Sequence, residues 1–483
     1  MLFNSLQFLV FFLVFLPIYF GTPASRRWIP ILAGSYVFYM AWNVSLAFLL
    51  MGLTIAAYWA GRALEAPLSR GPRRAILTVA ILAILAPLAI FKYLNFTISI
   101  VNDLGALLHA SPSIPFADLI VPVGISFHTY QMISYLVDVS GGHCPAERHL
   151  GRFASFVVFF PQLVAGPIER AEHMLPQFHR ATRLEYDRVR DGILQATWGL
   201  SKKVCVADLV APFVASVYAE PRMYNGSYLA LATVLFAVQI YCDFSGYSDM
   251  ALGIARILGY DLMTNFRQPY FSTSLGEFWR RWHISLSSWF RDYVYFPLGG
   301  NRVGLPRRAV NILLVFTLSG IWHGAAWTFI VWGALHGLGL LIEQVARGTI
   351  GRRPPSAEPG PARSRIKALL GWLITTVVVL VGWVFFRAQS LDDALYITSH
   401  LLDFGPLHYG TFKLLKLPSF ELLLAALQIL LIFAVDFVLR FQPAGPLRWW
   451  QARPVRWTLF LLLVYNVIFF GVFEKVDFIY FAF

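Results

Sequence analysis

The feature that most constrains this chain is the recurrence of apolar runs close to the ~20 residues that a helix needs to cross a bilayer. Candidate spans fall at 3–20, 28–41, 44–61, 75–91, 119–139, 193–218, 228–258, 309–322, 324–345, 368–386, 420–440 and 457–473. Two of them, 28–41 and 309–322, are short for a full hydrocarbon core and read as tilted, broken or bundle-buried helices. Of the 483 residues, 58% are hydrophobic and 13% charged. A soluble domain is nearer about half apolar and about a quarter charged, so a water-soluble fold has too little polar surface to coat this chain. The same figures exclude disorder, coiled coil and a disulfide scaffold. The expected fold class is all-α: a polytopic membrane protein of about 11–12 transmembrane helices with re-entrant or interfacial segments.

The 39 Lys+Arg outnumber the 26 Asp+Glu, for a net charge of +13. The basic residues cluster in short loops between apolar runs, which reports membrane orientation and not a nucleic-acid partner. One topology puts all these loops in the cytoplasm: twelve crossings with both termini extracytoplasmic. The Arg-over-Lys bias points to a bacterial inner membrane. Met1 to Phe20 has no basic n-region and no small-residue cleavage site, so it is expected to be a retained span. The stretch 349–365 is rich in Pro, Gly and Arg and is expected to be a flexible cytoplasmic linker within a single integral domain, 1–483. No internal repeat is visible. Cys144, Cys205 and Cys242 have no CxxC spacing, so neither a disulfide frame nor a metal site is expected.

Two regions break the rule that spans should be bland. In 239–300, Asp243, Ser245, Tyr247 and Asp249 lie within an apolar stretch. Acids in a span are costly and mark a site or pathway, or else satisfy broken backbone or pair with Arg256 or Arg267. Further on, Leu275, Phe278, Trp279, Trp282, Leu286, Trp289, Phe290 and Tyr293 recur at helical spacing with Arg280, Arg281, His283, Arg291 and Asp292 interleaved. This predicts an amphipathic helix at the cytoplasmic interface. Its bases beside aromatics suit lipid phosphates, and equally the phosphates of a nucleotide-bearing donor.

The second region is 317–337. His323 is flanked by Trp322, Gly324, Ala325 and Ala326, and His336 follows on the next helix. An imidazole in such a place is expected to be neutral. Small neighbours let a backbone or ligand approach. A neutral buried imidazole is the general base that acyl transfer to a hydroxyl requires. The loop charges put His283 on the cytoplasmic side and His323 deeper, so the two are expected at different depths of a passage. Other signals are weak. No phosphate-loop motif and no HExxH occur, and GISFHTY at 124–130 lacks the fifth-position glycine of a nucleophile elbow. His128, Gln131 and Asp138 read mainly as structural. The stretch 156–170 reads as re-entrant or interfacial, and Lys202 and Lys203 as snorkelling or preceding their helix.

Several stretches together resemble the membrane-bound O-acyltransferase family, in its bacterial branch that includes the alginate O-acetyltransferase membrane subunit and the D-alanyl transfer protein of teichoic acids. They are VPVGISFHTYQMISYLVDV (121–139), FPQLVAGPIER (160–170), QIYCDFSGYSDMALG (239–253), the segment 265–302 that opens at Asn265, LSGIWHGAAWTFIVWGALHG (318–337) and the terminal FIYFAF (478–483). The resemblance implies a funnel or tunnel of about eleven or more helices. It maps the family's histidine positions onto His283 and His323, with His323 the catalytic one. It implies acetyl-CoA or another thioester as cytoplasmic donor near Arg280, Arg281, Trp282 and His283, with no bound cofactor and no metal. It also implies a polysaccharide acceptor such as alginate, reached directly or through periplasmic acetyl-transfer proteins of the SGNH type. Trp322, Asn265, Asp292, Asp243, Ser245, Tyr247 and Asp249 are expected to line the tunnel. The rival readings are D-alanyl or other acyl transfer to a cell-wall polymer, and a non-catalytic transporter or scaffold for acyl intermediates.

Overall fold

The computed structural model describes residues 1–109, 113–164, 166–346, 361–415, 417–441, 452–473 and 478–479. Among these residues the regular structure is helical, with no strand. Among the described residues, seven helices are long and apolar enough to cross a membrane: Val44–Glu65, Arg70–Leu107, Gly226–Ile257, Trp327–Ala346, Arg365–Arg387, Phe420–Phe441 and Arg453–Phe470. Leu6–Gly21, Trp28–Met40 and Leu150–Leu163 are shorter apolar helices. The protein is therefore a multi-pass membrane protein. Residues 349–360 of the expected linker lie outside the described residues, and 361–365 open the helix Pro361–Arg387.

The described chain forms two compact units, 1–196 with 250–263, and 197–249 with 264–483. In the first, Ser5 caps Leu6–Gly21 by accepting from the Phe8 amide at 3.1 Å, and Asn43 caps Val44–Glu65 by accepting from the Leu46 amide at 3.0 Å. These side chains satisfy amides that a helix start leaves without intrahelical partners. Phe8, Phe11 and Phe15 pack around Phe160, with ring centroids 6.4, 5.5 and 5.3 Å away. Arg70–Leu107 is one long helix with a π-turn at Ala89–Tyr93, just after Pro87, whose missing N–H loosens the ladder there.

The expected span 119–139 is corrected at its start. Its helix is Ile125–Gly141, entered through Gly124 at φ +74°. The apolar helical stretch 150–163 is interrupted, with Leu150–Val157 and Phe160–Leu163 separated by a break. Phe156 to Leu163 are all buried within this unit. Gln131 and Gln162 each donate from Nε2 to the Phe156 carbonyl, at 2.9 and 2.8 Å, and so satisfy the acceptor left near the break.

In the second unit, Leu305–His323 and Trp327–Ala346 form a tight helical hairpin. The first of these has 19 residues, which extends the short candidate 309–322 at its N-terminal end. Backbone touches backbone across the pair. A Cβ on Gly320 would fall 2.2 Å from the Phe329 carbonyl oxygen, and one on Gly333 the same 2.2 Å from that of Phe316. Glycine is thus required at both crossings. The hairpin places His323 at the last helical position, just before the Gly324–Ala326 turn.

Candidate active site

The predicted amphipathic helix over 275–293 is corrected. The chain forms Leu275–Trp279 and Ile284–Phe290, then a π-turn at Arg291–Tyr295. The break falls at His283, whose φ of +43° lies in the left-handed region uncommon for a non-glycine residue. Asn265 holds it open. Its carbonyl accepts from the Ile284 amide at 2.9 Å, and its Oδ1 accepts from both the amide and the hydroxyl of Ser285, at 3.2 and 2.8 Å. Arg281 in turn accepts at its carbonyl from the Arg267 amide, at 3.0 Å. Three anchored donors and a paired backbone outweigh continuation of the helix.

The turned backbone carries the His283 ring inward. It is fully buried, and burial pushes the imidazole down to about 3. The expectation that the two histidines lie at different depths is corrected: the rings of His283 and His323 are 6.1 Å apart, centroid to centroid. Trp322 borders both, at 5.8 Å from His283 and 4.9 Å from His323. Trp332 and Phe386 complete the wall around His323, at 4.9 and 5.3 Å, and Phe244 meets His283 edge-on at 4.7 Å. Trp282, also buried, stacks on Phe278 and contacts Trp383 at 4.9 Å. The result is a pair of imidazoles in an aromatic enclosure.

The other candidates divide. Arg280 is exposed. Arg281 is committed to Glu277 at 3.0 Å and to the Arg267 carbonyl at 2.9 Å, while Glu277 also binds Arg440 at 2.8 Å. Asp292 pairs with its neighbour Arg291 at 2.8 Å. The acids of 243–249 form a separate polar cluster, and their partners are not Arg256 or Arg267. Asp243 pairs with Lys203 at 2.8 Å, and Asp249 with Lys202 at 2.8 Å; the Lys202 ammonium also donates to Ser245 at 3.3 Å. Lys203 bridges to Asp208 as well, at 2.8 Å. The two lysines therefore neither snorkel nor precede their helix: they are buried around a π-turn at Lys203–Ala207. Tyr247 packs on Phe478 at 4.9 Å.

Sequence reasoning singled out Lys202 and Lys203 without their partners, and it did not single out Asp208, Trp332, Phe386 or Phe478. The signal was present for the ion cluster, since two lysines inside an apolar run demand carboxylates. No group of three or more metal-type side chains occurs among the described residues.

The structure is that of a helical membrane protein with two buried imidazoles in an aromatic enclosure. Residues 148–379 match the family described as MBOAT, membrane-bound O-acyltransferase family. A probable alginate O-acetylase of Azotobacter vinelandii is 40% identical, with 84% of this chain and 79% of that protein aligned. A peptidoglycan O-acetyltransferase of Helicobacter pylori is 34% identical over 75% of this chain and 71% of that protein. A teichoic acid D-alanyltransferase of Streptococcus thermophilus is 29% identical over 56% and 69%. The chain belongs to the membrane-bound O-acyltransferase family, and it is an acyltransferase.

Proposed function

We propose that this acyltransferase moves an acetyl group from acetyl-CoA on the cytoplasmic side of a bacterial inner membrane to a hydroxyl on an exported polysaccharide. The acceptor is a glycan such as alginate, reached directly or through a periplasmic acetyl carrier. The observation that carries this reading is the enclosed pair His283–His323. The two rings lie 6.1 Å apart, centroid to centroid, and share Trp322 as a wall. In the proposed step His323 takes the proton of the acceptor hydroxyl, the oxygen forms an ester bond to the thioester carbonyl carbon, and the C–S bond breaks. The thiolate of coenzyme A leaves and takes up a proton. Exposed Arg280 meets the donor phosphates. The dry aromatic walls hold the reactants together and exclude hydrolysis. Both termini lie outside the cytoplasm in this arrangement, as the loop charges suggest.

The names of the A. vinelandii and H. pylori relatives support acetyl transfer to an envelope glycan. The test is thiol release from acetyl-CoA by detergent-purified protein, with and without alginate and other glycans, for wild type, His323→Ala and His283→Ala. Acceptor-dependent release that is lost in His323→Ala supports the reading. Release that survives the substitution sinks His323 as base. No release in wild type with any acceptor points to another donor, or to a transporter or scaffold role.

A further inference from the structure

The motif FIYFAF at the chain end has no role in the step above, yet its described residues reach the site. The Ile479 amide donates to Asp243 Oδ2 at 2.8 Å, while Oδ1 of the same carboxylate holds Lys203 at 2.8 Å. Upstream, the Val472 amide donates to the Val204 carbonyl at 2.9 Å. Val204 follows Lys203 in the π-turn, where the altered register leaves carbonyls available to outside donors. Two attachments of the terminal segment thus converge on one buried ion triad, Lys203 with Asp208 and Asp243. Between them and the histidines lies a short relay of rings. Phe478 contacts Tyr247 at 4.9 Å and Phe244 at 6.0 Å, and Phe244 contacts His283 at 4.7 Å.

We propose that the Lys203–Asp243 pair anchors the terminal segment so that Phe478, through Phe244, positions the His283 ring. Asp243 and Phe478 are positioning residues in this scheme. The arrangement explains why full charges are retained in an apolar interior. A carboxylate has two acceptor oxygens, so it holds an ammonium and a backbone amide together. A neutral asparagine offers one acceptor oxygen and leaves Lys203 half-compensated. The inference rests on the proposed acyl transfer for its kinetic consequence and not for the anchor itself.

The test combines hydrogen exchange with turnover on the full chain in detergent or nanodiscs. The Ile479 amide is slow to exchange in wild type and fast in Asp243→Ala. Phe478→Ala lowers kcat per folded molecule about tenfold, as expected when a catalytic ring loses its alignment, while the donor KM stays unchanged. Phe478→Leu, which keeps apolar bulk, restores most of the rate. Equal exchange of Ile479 in wild type and Asp243→Ala overturns the anchor. Unchanged kcat per folded molecule in Phe478→Ala, with only a lower melting temperature, overturns the positioning role and leaves a structural one. Absence of transfer in wild type with every thioester sinks the functional reading instead, and the exchange comparison still decides the anchor.

Discussion

The two units bury polar groups in different ways. In the first, the break in 150–163 is closed by the side-chain amides of Gln131 and Gln162 on one carbonyl. In the second, the π-turn at 203–207 sits among full charges, Lys202 and Lys203 against Asp208, Asp243 and Asp249. A neutral solution meets the local backbone need in one case, and buried ion pairs are no more stabilising than apolar packing of similar volume. The charges of the second unit therefore call for a use beyond stability, whereas the amides of the first do not.

The largest expected effect separates the units by their buried histidines. His323→Ala should lower transfer about a hundred- to ten-thousand-fold, the usual contribution of a general base. His128, buried in the first unit, should be replaceable by Leu with turnover per folded molecule intact. Initial rates normalised to the folded fraction decide the contrast, and equal losses at both positions break it. Next comes Lys203→Met, which leaves Asp208 and Asp243 buried without their shared cation. Removing one partner of a buried pair costs about 3–5 kcal/mol, visible as a large drop in melting temperature. A smaller effect is expected for Gln131→Leu. It removes one of two donors to the Phe156 carbonyl, and the loss stays within about 1–3 kcal/mol. If the glutamine substitution proves as damaging as the lysine one, the distinction between neutral and charged strategies fails.

The smallest effect concerns pH. Burial takes His283 from its ordinary 6.5 down to about 3. The folded state then binds fewer protons than the unfolded one between those values. Stability from this source is complete above pH 6.5 and is lost as pH falls toward 3. Thermal melts from pH 7.5 to 5 should show a shallower acid slope for His283→Gln than for wild type. Identical slopes would mean that His283 is not held neutral by burial.

Much of this was legible in the residues. Apolar runs announced the helices, and His323 stood out because a histidine between small residues in a span is chemically conspicuous. The join between His283 and His323 was not legible. The residues after Leu275 keep helical spacing on either side of a break that is imposed from outside by Asn265, so periodicity alone reads through it. The sequence marks Lys203 as a charge within an apolar run but does not reveal its partners. Asp208 is close in sequence, whereas Asp243 is set beside it only by packing, and loop-charge bookkeeping carries no pairing information. Phe478 lies farther still along the chain from Phe244, and nothing local in either residue signals their contact.

The glycine crossings in the Leu305–His323 and Trp327–Ala346 hairpin bear on how rigidly His323 is held. Two helices whose backbones touch at Gly320 and Gly333 have no side-chain cushion between them. Neither can roll or slide on the other without driving carbonyl oxygen into an α-carbon. The hairpin therefore behaves as one stiff lever, with His323 fixed at its tip. On its other side His283 meets Phe244, which in turn meets Phe478. His323 is thus held by backbone meeting backbone and not by a layer of side chains.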